Sequence, residues 1–454
     1  MKARRTRLRR PATLLVALAM LAILAAPAPV SLAQGAAGTE PALVFEALRA
    51  LQTHYVDPVD VPRVLNGALD GLRQQLSQAG IVAVLAAVPA GAPEVEARRL
   101  FAEQFAAAVA AAGSALTPTQ LSYAAIRGMT ETFKDSHTGF MTPQQSQERR
   151  LRQRGQAGFT GVGIILLPKE EKFYVWAVVP GGPAEAVGVR EFDRILKIND
   201  VSTAGMQVDQ VSGMIRGAPG TPVTLTLQRP GVPEPVVLTI TRGPIVVPSI
   251  FRAEVLEGGI GYIRLYQFVE GTARDFRAAL LRLQGQRMRA LVLDLRGNGG
   301  GYLHELNGVL NALLPAGLPV YTEMRQGGQT RVQRTSGSPL LPTTVPLYVL
   351  IDEGSASAAE LLSAAVQENR RGLLVGGKTA GAVEASILVD LSDGSALSIT
   401  TFRLATGRGV RLEGAGVAPD VEAILTAADL DAGTDRVLTT ALRAARQALA
   451  QTAR

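Results

Sequence analysis

The chain has 454 residues, 47% of them hydrophobic and 19% charged, a balance that supplies core material for two or three domains and excludes disorder as the default. Its formal charge is +7, but Lys2, Arg4, Arg5, Arg7, Arg9 and Arg10 contribute six of those charges ahead of any acidic residue, so residues 34–454 sum to +1 and the composition offers no case for a nucleic-acid partner. The absence of cysteine excludes disulfides, a thiolate metal site and a thiol nucleophile, so any nucleophile must be an oxygen.

The cationic start is followed by an apolar run from Ala12 to Ala26 and then by Ser31-Leu32-Ala33, small residues at the spacing a signal peptidase reads. About fifteen apolar residues fall short of the roughly twenty that span a bilayer. Residues 1–33 are therefore expected to be a cleaved export signal, with an uncleaved membrane anchor as the alternative. The mature protein is expected in the periplasm or outside the cell, with no stable membrane span.

From Pro41 to about Met129, apolar residues recur at three and four spacing in VFEALRALQTHYV and VLNGALDGLRQQL, and RRLFAEQFAAAVAAA is rich in alanine, which predicts a helical region over 34–155. Residues 143–156, PQQSQERRLRQRGQ, have no apolar face and read as a linker or a charged, exposed helix end. Between residues 156 and 243, short β-branched runs alternate with Gly/Pro turns, with room for short helices at PAEAVG and VDQVSGMIR. From 244 to about 430 the texture is that of an α/β core, with the buried strands IGYIRL, ALVLDL, LYVLI and LLVGG each followed by a helical stretch. Residues 431–454 close the chain with an amphipathic helix.

Within the small module, Gly161-Val162-Gly163-Ile164 opens a strand. Two glycines there can turn several backbone N–H groups toward one point, a nest suited to a peptide's terminal carboxylate, beside a strand edge open to an added strand. With GGPAEAVGV, FDRIL and RGAPGTPVTLTLQR following in order, the module resembles a PDZ domain. In the core, LVLDLRGNGGGYL ends a strand at Asn298-Gly299-Gly300-Gly301, where backbone N–H groups can face a developing oxyanion. Further on, LYVLIDEGSASAAELL reads strand, tight turn, helix, and puts Ser357 at the helix start with Glu360 three residues on. A capping box explains that pair without any catalysis.

Taken together, DSHTGFMTP, the PDZ-like module, GYIRLYQF, LDLRGNGGG, GSASAAE, KTAG and GAGVAPD resemble, in this order, the S41 peptidases, the carboxyl-terminal processing proteases and their relatives, over about residues 45–425. The resemblance implies an α/β, crotonase-like core with an inserted PDZ-like domain and an N-terminal helical region. It implies Ser357 as nucleophile, with Ala358 N–H and a glycine of the 299–301 run, Gly300 first among them, as oxyanion donors. It also implies protein or peptide substrates held by their C-termini, with no cofactor; three histidines and no cysteine speak against a metal site, and self-association into a homo-oligomer stays open.

Carboxyl-terminal processing proteases use a lysine base in a T-x-G-K turn and a glutamine four residues later. Here those positions hold Ala382 and Ser386. Lys378 is a substitute in principle, although a solvated turn lysine is the plainer reading. Another branch, the tricorn-like core peptidases, uses a serine–histidine tetrad whose members match Ser357 as nucleophile, His137 as base, and Ser136 and Glu413 as orienting groups. A histidine base works at neutral pH without the deep burial a lysine needs. Two functions remain open from sequence: an exported serine endopeptidase, and a catalytically inactive pseudopeptidase that binds peptides or partners through its PDZ-like module. His304 beside the glycine loop is a minor candidate, and an apolar small-molecule carrier is a third, weaker reading.

Overall fold

The computed structural model describes residues 41–135, 137–153 and 158–452; the expected export signal, residues 1–33, and Ser136 lie outside the described residues. Among the described residues no helix is long and apolar enough to cross a membrane.

Four helices, Ala42–His54, Val61–Gln78, Glu94–Ala112 and Pro118–Glu131, make the N-terminal region. The second starts where Asp60 accepts the N–H of Arg63 and Pro62 occupies the first turn, and its periodic Val64, Leu65, Ala68, Leu69, Leu72 and Leu76 form the buried face. It crosses the fourth helix backbone to backbone: a Cβ on Gly71 would stand 2.1 Å from Ala124 O. The same apolar cluster takes in Leu391, Leu397 and Ile399, so the helices cover part of the long strand Ala396–Thr406. The arginine-rich segment forms the helix Pro143–Gln153.

The core is a six-stranded sheet in the order Ile250–Leu256, Ile260–Leu265, Ala290–Asp294, Leu347–Ile351, Leu373–Gly376, Val421–Glu422. The first pair is antiparallel and the others are parallel. Strands covered on both faces read as unbroken apolar runs, which is why ALVLD and LYVLI are recognisable without context. Helices Thr272–Gly285, Leu303–Leu313 and Ala358–Glu368 cover one face, and the C-terminal helix Arg436–Thr452 buries Val437, Ala441 and Ala445 on the other. One expectation is corrected: Leu373–Gly376 leads not to a helix but to a loop and the strand Glu384–Asp390. That strand's β-branched and aliphatic residues pair with Ala396–Thr406 across the turn at Gly394, in a second, antiparallel sheet with Gly139–Met141, Pro319–Met324 and Thr330–Arg334.

The small module is a sheet of Ile164–Lys169, Lys172–Val178, Arg194–Ile198, Pro222–Gln228 and Val236–Thr241, with the helices Pro183–Ala186 and Val208–Ile215. Its entry and exit strands, Gly158–Gly161 and Gly243–Val246, pair antiparallel, so the module leaves and rejoins the core at one place. Trp176 seats it there: the guanidinium carbons of Arg264 and Arg296 lie 4.5 and 4.8 Å from its ring centre, and Arg264 also donates to Trp176 O. Arg296 is itself locked by Asp294 and Asp435.

Candidate active site

Ser357 sits where the core strand Leu347–Ile351 turns into the helix Ala358–Glu368, at φ 55° and ψ −115°. An N-cap has extended backbone. This left-handed φ in a serine is instead the kind of local strain, about 1–3 kcal/mol, that persists where the surroundings over-determine it. Those surroundings are polar and specific. The Ser357 N–H is shared between Ala382 O at 2.9 Å and Glu360 Oε2 at 3.0 Å. Ala358 is the first helical residue, so its N–H has no intrahelical acceptor.

Glu360 does more than return to the helix start. Fully buried, it also accepts from Thr379 Oγ1 at 2.6 Å, Gly381 N–H at 2.8 Å and Ala382 N–H at 3.0 Å. It therefore folds the whole Thr379–Ala382 turn against Ser357, a role that the Ser-x-x-Glu spacing alone does not disclose. A second loop is laced onto this turn: Gly414 N–H donates to Gly381 O (2.7 Å), Val417 N–H to Thr379 Oγ1 (2.6 Å), and Val383 N–H to Glu413 Oε2 (2.6 Å). Ala382, at the position where a lysine was expected, is thus flanked by Ser357 on one side and by the residue that holds Glu413 on the other. Lys378 is exposed. Ser386 has moved off into the second sheet, where its hydroxyl meets that of Ser398 at 2.9 Å.

His137 arrives from the segment between the fourth helix and Gly139–Met141, and its backbone is pinned by Asp135. That carboxylate accepts from the N–H groups of His137 (3.0 Å) and Thr138 (2.6 Å), from Thr400 Oγ1 (2.9 Å) and from Tyr55 Oη (3.0 Å). Partial burial pulls the imidazole pKa below its ordinary value; Glu413, Asp135 and Glu360 act in the opposite sense, and Arg149 reinforces burial. The structure therefore brings His137 within the electrostatic reach of Glu413 and of the carboxylate that holds Ser357. Ser136 lies outside the described residues. Glu384, unnoticed in the sequence, is a buried carboxylate whose pKa burial, Glu413 and Asp135 push up to about 7, against the pull of Arg403 and Arg411.

The glycine loop abuts the same serine. At Gly300 (φ 90°) an added Cβ would stand 2.6 Å from Ser357 Cβ and 2.9 Å from Ala358 N. The Gly300 N–H is given to Asn298 Oδ1 at 2.8 Å, because the buried Asn298 side chain, anchored on Leu265 O, folds back over the turn. Gly300 also contributes the absence of a side chain at this contact. His304 is largely exposed and stacks on Tyr302, with its Nε2 3.5 Å from Glu305.

Gly161, Val162, Gly163 and Ile164 border a cavity of about 370 Å³, between the edge of the strand Ile164–Lys169 and the helix Val208–Ile215. Gly163 has φ 81°, and Val162 O and Gly163 O are tied to Ala184 and Val179 N–H at 2.8 Å each, which holds the turn open at one end of the groove.

Residues 259–423 match peptidase family S41, and residues 174–229 match the PDZ domain. The carboxy-terminal-processing protease of Bartonella bacilliformis is 34% identical over 303 residues, covering 65% of this chain and 68% of that protein. The carboxyl-terminal-processing protease of Synechocystis sp. is 32% identical over 301 residues, covering 66% of this chain and 70% of that protein. Among solved structures, the photosystem II D1 C-terminal processing protease is similar with a TM-score of 0.53 at 28% identity, covering 86% of this chain and 94% of that one.

Proposed function

The chain belongs to peptidase family S41 and is a serine peptidase carrying a PDZ domain, and from that premise we propose that it is an exported carboxyl-terminal-processing endopeptidase in which His137 is the base for Ser357. The observation that carries this reading is the turn at Ala382. The lysine position has no base to offer, while the loop laced beside it carries Glu413, a carboxylate acting on His137.

In this mechanism Ser357 Oγ attacks the scissile carbonyl as its proton passes to the neutral imidazole of His137. Glu413 opposes the new positive charge and, with Ser136, orients the ring. The carbonyl oxygen becomes an oxyanion facing Ala358 N–H, a donor made available by its place at the helix start. His137 then returns the proton to the leaving amine. Water, deprotonated by the same imidazole, releases the acyl group from Ser357. The PDZ-like groove holds the substrate's C-terminal residue, so cleavage falls upstream of a captured terminus.

The test is covalent. A fluorophosphonate probe should label the mature protein at Ser357, and Ser357→Ala should abolish both labelling and cleavage of an unfolded protein. Labelling that survives the substitution removes Ser357 from the reaction. A wild type that neither labels nor cleaves would make Ala382 the mark of a lost base and leave the groove as the working part. Export is tested on the same preparation: the mature N-terminus should begin at Gln34.

A further inference from the structure

The groove of the small module is not closed by the module alone. Its cavity is completed by Val247, Tyr266 and Gln267. These residues follow the exit strand Gly243–Val246 or the core strand Ile260–Leu265 and belong to the core side of the junction. Each is held in place. Tyr266 N–H donates to Ser249 O at 2.8 Å, and its ring packs on Phe251 at 4.9 Å between centres. Gln267 Nε2 donates to Val247 O at 2.9 Å, which commits one of its two amide hydrogens. Arg216, exposed just past the helix Val208–Ile215, lines the same cavity.

The position of these side chains along the groove follows from the backbone. A peptide added antiparallel to the strand Ile164–Lys169 ends at the Gly161–Gly163 turn. The pairing of Gly158–Gly161 with Gly243–Val246 brings the core alongside that end, and the bonds to Ser249 and Val247 carry Tyr266 and Gln267 with it. The last side chain of the peptide would meet apolar Val162, Val208 and Ile215, while Tyr266, Gln267 and Arg216, whose side chains carry a phenolic O–H, a second amide N–H and a cation, line the same cavity beside its carboxylate.

We propose that Tyr266 and Gln267 are specificity-determining residues that complete the site for the terminal residue of a bound peptide, so that the substrate's free C-terminus is held jointly by the module and the core. This rests on the reading of the groove as a C-terminus site, and the experiment separates the two. Binding of a peptide of about ten residues ending in Leu-Ala-Ala, as free acid and as amide, is measured by titration calorimetry on the full chain carrying Ser357→Ala, alone and with Tyr266→Phe or Gln267→Leu. Each added substitution should weaken the acid-ended peptide by about 10- to 100-fold, the scale of one lost hydrogen bond to a charged group, and leave the weaker, amide-ended binding unchanged. That unchanged arm shows the groove still folded. An acid-to-amide ratio equal to that of the parent in both variants would overturn the role of the core residues while the C-terminus reading stands. A parent that binds acid and amide alike would overturn the C-terminus reading and this inference with it.

Discussion

The imidazole of His137 is half-buried, with three carboxylates acting on it against the effect of burial, and in the proposed mechanism this balance governs the acid side of the pH profile. Burial prevails, so the imidazole proposed as the base stays neutral below the ordinary histidine value of about 6.5. The acid limb of kcat/KM should therefore fall below that pH, as protonation removes the acceptor. Glu413 raises the imidazole pKa, so Glu413→Gln should move the limb to still lower pH while reducing the plateau rate; a limb that moves upward contradicts the placement of Glu413. Ser357, His137 and Glu413 could be proposed from sequence because each stands in a short motif of its own. Asp135, Asn298 and Glu384 were not. Asp135 gains its meaning from Thr400 and Tyr55, Asn298 from Leu265, and Glu384 from Glu413 and Arg403, partners that only the fold brings near. The Asp-Ser-His-Thr spacing did contain one usable signal, since aspartate commonly accepts the N–H two residues on, as Asp135 does from His137.

At the level of elements, the site is three turns pressed together: the glycine loop after Ala290–Asp294, the strand-to-helix turn at Ser357, and the Thr379–Ala382 turn gathered by Glu360. Their mutual distance is set by what is missing at Gly300. Gly300→Ala requires a positive φ of an L-residue and drives a methyl to 2.6 Å from Ser357 Cβ. It should lower kcat by about 100-fold or more, the cost of displacing a reacting group by an ångström, with KM for peptide substrates changed far less. An unimpaired kcat would show that the loop is not in contact with the working serine. The buried parallel strands were readable from their apolar runs. Glu384–Asp390 was not, because a short β-branched segment after a glycine turn carries no sign of which sheet it joins; its partner, Ala396–Thr406, lies beyond another turn.

Across the whole molecule, the PDZ domain and the peptidase core meet at Trp176, the one tryptophan in the chain. Its buried ring under Arg264 and Arg296 ties the groove to the core strands that precede the glycine loop. Trp176→Ala should cost about 3–5 kcal/mol of stability in denaturant unfolding, and a loss of a few tenths would mean that the contact does not join the two parts. Neither the cation pair nor the shared groove wall was legible in sequence, since Trp176, Arg264 and Arg296 are spread over 120 residues. Whether a histidine replaces the absent lysine is decided by the rate of fluorophosphonate labelling of Ser357 in the wild type, His137→Ala and Lys378→Ala, at neutral pH. Labelling should fall by about 1,000-fold or more in His137→Ala, as expected when a base and nucleophile act as one unit, and change little in Lys378→Ala. Labelling that persists in His137→Ala and vanishes in Lys378→Ala would give the base to the lysine and remove His137 from the reaction.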